Sequence, residues 1–169
     1  MRERRQASTD RRRAREFEAF VAGAAGRLLH AATLLTGEPA DAKPHAERLL
    51  TAALARGYAD WDRLRDEDPY DHVRQELATR YARGAWRYPR TGEGLLGRLS
   101  PQERLILVLR LYEGVAEEQT AALLGLPVER VRAICARAVT AMRGPAPPRR
   151  PAPHWPLSLL SPHSRQAAR

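Results

Sequence analysis

Ala121, Gly125 and Val131 stand four and six residues apart, a spacing at which two short helices can cross closely. Such a crossing needs a small residue on the first helix, a turn residue that accepts left-handed backbone, and a compact apolar residue facing back from the second helix. Leu124, Leu126 and Ile134 fill the remaining inward positions. The combination predicts a helix-turn-helix whose second helix, opening at Val128, lies in a DNA groove. Stepping about 100° per residue, Glu129, Arg132, Ala133 and Ala136 face outward, with Arg130 and Arg137 flanking them. Arg132 is the first candidate for a base-edge or phosphate contact. An ordinary helical corner with a glycine turn packs similarly and is the competing reading. Cys135 falls on the core side as a small apolar residue.

A second set of residues suits a nucleic acid strand. On one predicted helix Arg80, Arg83, Arg87 and Arg90 share roughly an 80° arc, with Tyr81, Trp86 and Tyr88 interleaved. Guanidinium groups track phosphates while rings stack on unpaired bases. The competing reading is a solvated arginine face over buried rings. Asp41, Glu47, Asp60, Asp62 and the run Asp66 to Asp68 make the preceding region acidic, which suits either a basic protein partner or a solvated face.

Other chemistries find little support. His30, His45, His72, His154 and His163 form no metal-ligand spacing with each other or with Cys135, the single cysteine. Gly92, Gly94 and Gly97 spell a lone G-x-G-x-x-G, but no β-branched run precedes it, so it reads as a linker. The sequence therefore predicts no catalytic residue, no metal, no cofactor and no small-molecule substrate.

The elements that must hold these residues are all helical. One amphipathic stripe runs Phe17, Phe20, Val21, Ala24, Leu28, Ala31, Leu35 and stops at Thr36-Gly37-Glu38-Pro39. A second runs Leu49, Leu50, Ala53, Leu54, Gly57, Tyr58, Trp61, with Asp41 as its expected cap. A third starts at Asp68-Pro69 and turns Tyr70, Val73, Leu77 and Tyr81 inward. Ser100-Pro101-Gln102-Glu103 is a capping box that opens a fourth, carrying Leu105, Ile106, Val108, Leu109 and Tyr112 and closed by Gly114. The two helices of the turn motif follow.

The fold expected from these elements is all-α, with two small helical domains joined by a short linker. Residues 1–15 read as a basic disordered arm, 16–88 as the first domain, 89–99 as the linker, 100–143 as the second domain and 144–169 as a proline-rich basic tail. The tail is expected to be disordered apart from an apolar patch at Trp155 to Leu160. Fully extended, the linker reaches at most about 40 Å. Of the 169 residues, those from 16 to 143 hold 18 basic and 18 acidic side chains, so the net charge of +9 sits in the two tails. A basic total therefore says nothing about the folded part, and local surfaces must decide. With one cysteine and with Glu16, Glu18, Arg27 and His30 interrupting the first apolar stretch, the expectation is a cytoplasmic protein with no export signal and no membrane association.

The order of parts resembles the extracytoplasmic-function (ECF) sigma factors of bacterial RNA polymerase, in their compact actinobacterial SigE-like form. The resemblance is carried by Leu34-Leu35-Thr36-Gly37 with Asp41-Ala42, Ala55-Arg56-Gly57-Tyr58 with Trp61-Asp62, and Asp68-Pro69 through Arg87. Its strongest part is Leu99 to Arg104, Leu111 to Gly114, Ala121 to Gly125 and Val131-Arg132. It implies that the first domain (region 2) grips the polymerase β′ clamp around Asp41, Glu47 and Leu50 and melts the −10 element through Arg80, Arg83, Trp86 and Arg87. It implies that the second (region 4) reads the −35 element through Val128 to Arg137 and touches the β flap. Core RNA polymerase and promoter DNA are the implied partners, with an anti-sigma factor as a further one. Lys43-Pro44 replaces the acidic pair usual after Asp41-Ala42, Arg80 a frequent Asn, Ala116 the usual Ser cap and Ile134 a phosphate-binding Arg. The changed residues 43 to 48 and the short linker motivate an alternative, a degenerate sigma-like regulator that binds DNA or an anti-sigma factor without initiating transcription. A third reading, a helix-turn-helix regulator of the response-regulator output type, would need no polymerase contact through residues 17 to 87.

Overall fold

The computed structural model describes residues 2–88 and 95–144, without the side chains of residues 2–5, Arg65 and Trp86. The described residues form six α-helices: α1 (Arg2–Thr36), α2 (Pro44–Asp60), α3 (Pro69–Gly84), α4 (Pro101–Leu107), α5 (Glu117–Leu124) and α6 (Val128–Arg143). Short 3-10 turns at Trp61–Asp66, Ala85–Arg87 and Leu95–Arg98 and a π-helical turn at Val108–Tyr112 complete them. No strand occurs among the described residues.

Helix α1 starts earlier than the expected disordered arm allows, at Arg2. Arginine and alanine are good helix formers, and tertiary ties hold the segment. Arg13 donates to the Tyr58 carbonyl, pairs with Asp62 at 3.2 Å and lies 4.5 Å from the Tyr58 ring. Phe17 and Phe20 then pack on Tyr58 and Trp61. By length and composition, a stretch of α1 within Gln6–Thr36 could cross a bilayer. In this fold its Leu28, Ala31, Ala32 and Leu35 are buried in the core.

The start of α2 corrects the expected cap. Lys43 occupies the N-cap position without a side-chain capping bond, its ammonium donating instead to the Ala40 carbonyl, and Asp41 is exposed. The Glu38 carboxylate accepts instead from the backbone N–H groups of His45 and Ala46 at 2.9 and 2.8 Å, satisfying donors that every helix start leaves open. At the other end, a Cβ on Gly57 would meet Val73 Cγ2 at 2.7 Å, so glycine lets α2 and α3 approach closely. Asp68 caps α3 by accepting from Tyr70 N–H at 2.9 Å, with Pro69 in the first turn.

The two halves of the chain share one core. Val73, Leu77, Ala78 and Tyr81 of α3 cluster with α1 and α2, and Leu105, Val108, Leu109 and Val115 from beyond residue 95 join them. Polar groups cross the same contact. Glu113, nearly buried, accepts from Tyr70 Oη at 2.9 Å and lies 3.6 Å from Arg27. Arg104 is 1% exposed and donates to the Leu35 carbonyl at 3.0 Å, leaving Nε and Nη2 without a partner among the described residues. A buried guanidinium with no carboxylate beside it is costly, so this contact joins good apolar packing to an unfavourable charge.

Candidate nucleic-acid interface

The turn motif is built as its residue types require. Ala116 occupies the N-cap of α5 with no side-chain hydrogen bond, as alanine must. Gly125 ends the helix at φ +63°, and Leu126 N–H donates to the Ala121 carbonyl at 3.0 Å, the cap geometry that glycine favours. Ile106, Ala121, Val131 and Ile134 form a cluster of their own, with Leu124, Leu126, Val128 and Cys135 against it. Ile134, placed where the resemblance suggests a phosphate-binding Arg, is therefore a core residue. Burial pushes the Cys135 thiol above its usual pKa, which favours the neutral thiol.

Opposite that cluster α6 presents an open face. Glu129, Arg130, Arg132, Ala133, Ala136 and Arg137 are exposed, and Val128 is half-buried at the helix start. Arg132 is not idle: its Nε and Nη2 donate to Glu117 Oε2 at 3.1 and 2.9 Å. Glu117 also lies 3.7 Å from Arg110 of the π-helical turn. The carboxylate thus holds Arg132, the first candidate for a DNA contact, against α5, a constraint the one-dimensional spacing did not reveal.

The second basic surface is a groove rather than a helix face. About 600 Å³ in volume, it lies between the start of α2 and the end of α3, lined by His45, Arg48, Glu76, Arg80, Arg83, Arg87 and Tyr88 among others. Arg80 Nε bonds Glu76 at 2.6 Å, and Arg48 Nη2 lies 2.7 Å from His45 Nδ1. Arg48 and His45 come from another helix, so spacing along α3 could not find them. Tyr81 is corrected as a stacking residue: it follows Val73 and Leu77 on the inward stripe and is buried. Tyr88 stacks on it with centroids 5.2 Å apart, leaving Tyr88 as the ring lining the groove. The Trp86 side chain and Arg90 lie outside the described residues, as does the linker segment 89–94.

In the region read as acidic, Asp60 and Asp62 have cationic neighbours. Asp60 is buried and pairs with Arg56 at 2.8 Å, with His72 and Arg63 at 3.5 and 3.7 Å, while Asp62 pairs with Arg13. Asp41 and Glu47 are exposed, but Leu50 is buried in the core and cannot itself present a contact surface. Its position on the α2 stripe, between Leu49 and Ala53, explains that burial. Among the described residues no group of three His, Cys, Asp or Glu side chains could hold a metal ion.

Comparison with known proteins covers both halves. Residues 95–144 match region 4 of the sigma-70 family. The chain is 28% identical over 153 residues to the RNA polymerase sigma-E factor of Streptomyces coelicolor, covering 76% of this chain and 84% of that protein. The sigma-E factor of Streptomyces avermitilis is 28% identical with 76% and 83% covered, and that of Streptomyces antibioticus 26% identical with the same coverage. No solved structure matches the chain.

Proposed function

We propose that the chain is a SigE-like ECF sigma factor that binds core RNA polymerase in the cytoplasm, directs it to promoter DNA and is not itself an enzyme, a reading supported by the region 4 match and by the likeness to sigma-E factors. The observation that carries this reading is the helix-turn-helix, with its buried Ala121 and Val131 and left-handed Gly125, inside the matched region and backing an open arginine face on α6. Likeness over 76% of the chain must extend well before residue 95. A regulator that lacks polymerase contact is therefore not the favoured alternative.

Roles divide by surface. Val128, Glu129, Arg130, Arg132, Ala133, Ala136 and Arg137 are assigned to −35 reading, where a helix fits the major groove. The groove of Arg80, Arg83 and Arg87, with Trp86 next to it in sequence, is assigned to the −10 strand. Asp41 and Glu47 are assigned to the polymerase clamp, with Leu50 positioning α2 beneath them. An anti-sigma factor would compete for these surfaces, and residues 16–88 and 100–143 would act as the two functional units.

The test is a titration of fluorescently labelled protein with purified core RNA polymerase near physiological salt, with an authentic ECF sigma factor as competitor. Saturable binding displaced by the competitor is expected. Absence of binding while the control binds would refute the assignment.

A further inference from the structure

Where α6 ends, the surface carries an apolar groove of about 250 Å³, lined by Leu34, Leu96, Leu107, Leu111, Tyr112 and Met142 among others. Leu111 is 63% exposed there, the largest exposure among the exposed large apolar side chains of the described residues. An isolated exposed leucine is ordinary, but one set in a concave apolar surface marks a place for something to sit. The groove spans both halves, since Leu34 belongs to α1 and Met142 to α6.

We propose that the occupant is this chain's own segment Trp155 to Leu160, folding back in cis. Two observations single it out. First, the chain leaves the described fold at the groove's edge: Met142 lines the groove, and Arg98, beside the lining residue Leu96, donates to the Gly144 carbonyl at 2.8 Å. Second, residues 145–169 contain one concentrated set of large apolar side chains, Trp155, Leu157, Leu159 and Leu160, in an otherwise proline- and arginine-rich stretch. The intervening residues 145–154 include five prolines, and at about 3.1 Å per residue they span up to ~30 Å, ample for a site beside their own origin. Tethering keeps the segment at a local concentration on the order of millimolar, so a modest apolar contact suffices. Seated there, it would bridge α1 and α6 and hold the two halves in the arrangement described above.

Fluorine NMR of the full chain labelled with 5-fluorotryptophan tests this. Trp61, Trp86 and Trp155 give three signals, and Trp155→Phe identifies the third. Leu111→Asp, at an exposed position, is expected to shift and sharpen the Trp155 signal while leaving Trp61 unchanged, and dilution of the unaltered chain should move nothing. Leu159→Asp, which alters the segment and not the described fold, should displace Trp155 in the same way. A Trp155 signal indifferent to both substitutions would overturn the proposal. So would a signal that moves on dilution, which would identify the occupant as a second copy of the chain.

Discussion

The two basic surfaces differ in how they are built. The α6 face is one regular helix standing on two small clusters, one of Ile106, Ala121, Val131 and Ile134 and one of Leu99, Leu107 and Ala138, and its arginines project from positions that one helical wheel fixes. The groove is assembled from α2, α3 and a 3-10 turn, and it rests on the large core shared by both halves of the chain. A straight helix suits a duplex groove, while a concave basic channel edged by a ring suits a single strand. The consequence is that a change beneath one surface should weaken that surface more than the other, although the two halves share a core.

The strongest way to break that separation is Val131→Asp. A carboxylate placed without a partner in a buried site costs about 3–5 kcal/mol, so urea unfolding should show a large loss and duplex binding should vanish. Binding of a single-stranded −10 oligonucleotide should survive, and equal loss of both would remove the distinction. Gly57→Ala is the counterpart on the other side. Its new methyl meets Val73, and the forced shift costs about 1–3 kcal/mol, which should weaken single-strand binding more than duplex binding.

Within the surfaces the effects are smaller. If Trp86 stacks on an unpaired base, Trp86→Ala should cost about 1–3 kcal/mol in strand binding and slow open-complex formation while duplex affinity holds. Arg132→Ala should flatten the salt dependence of duplex binding by up to about one charge. Because Glu117 competes for that guanidinium, Glu117→Gln should instead tighten duplex binding. No change in either variant's titration would place the reading face elsewhere on α6.

The smallest expected effect is alkaline and belongs to the shared core. Burial pushes the Tyr81 hydroxyl up to about 12, partly offset by nearby Arg104, and burial with the Glu113 hydrogen bond raises Tyr70 as well. Since these groups stay protonated in the fold after the unfolded chain begins to ionise near 10, their contribution is whole below that pH. It is lost as pH climbs through the folded value, so thermal stability should fall between about pH 10 and 12. Tyr81→Phe should lessen that fall without altering duplex binding.

The same contrast explains what could be read from the sequence. The helix-turn-helix was legible because its constraints are local: Ala121, Gly125 and Val131 each satisfy a demand made within a dozen residues. The caps at Asp68 and Ser100 were legible for that reason too. The cap of α2 was not, because Glu38 reaches it from across a loop whose path spacing does not determine. Nor was the groove complete without Arg48 and His45, or the arm's helix without Arg13 on Tyr58 and Asp62. Leu50 was misplaced as a contact because a stripe residue at a helix start can face either the core or a partner, and packing decides.

The central claim is that this chain starts transcription at promoters. Run-off transcription with purified core polymerase on templates from the source genome tests it most directly. The account predicts defined transcripts that require the added chain and disappear with Val131→Asp. Duplex binding by the chain with no chain-dependent transcript, while an authentic ECF sigma factor initiates in parallel, would contradict it.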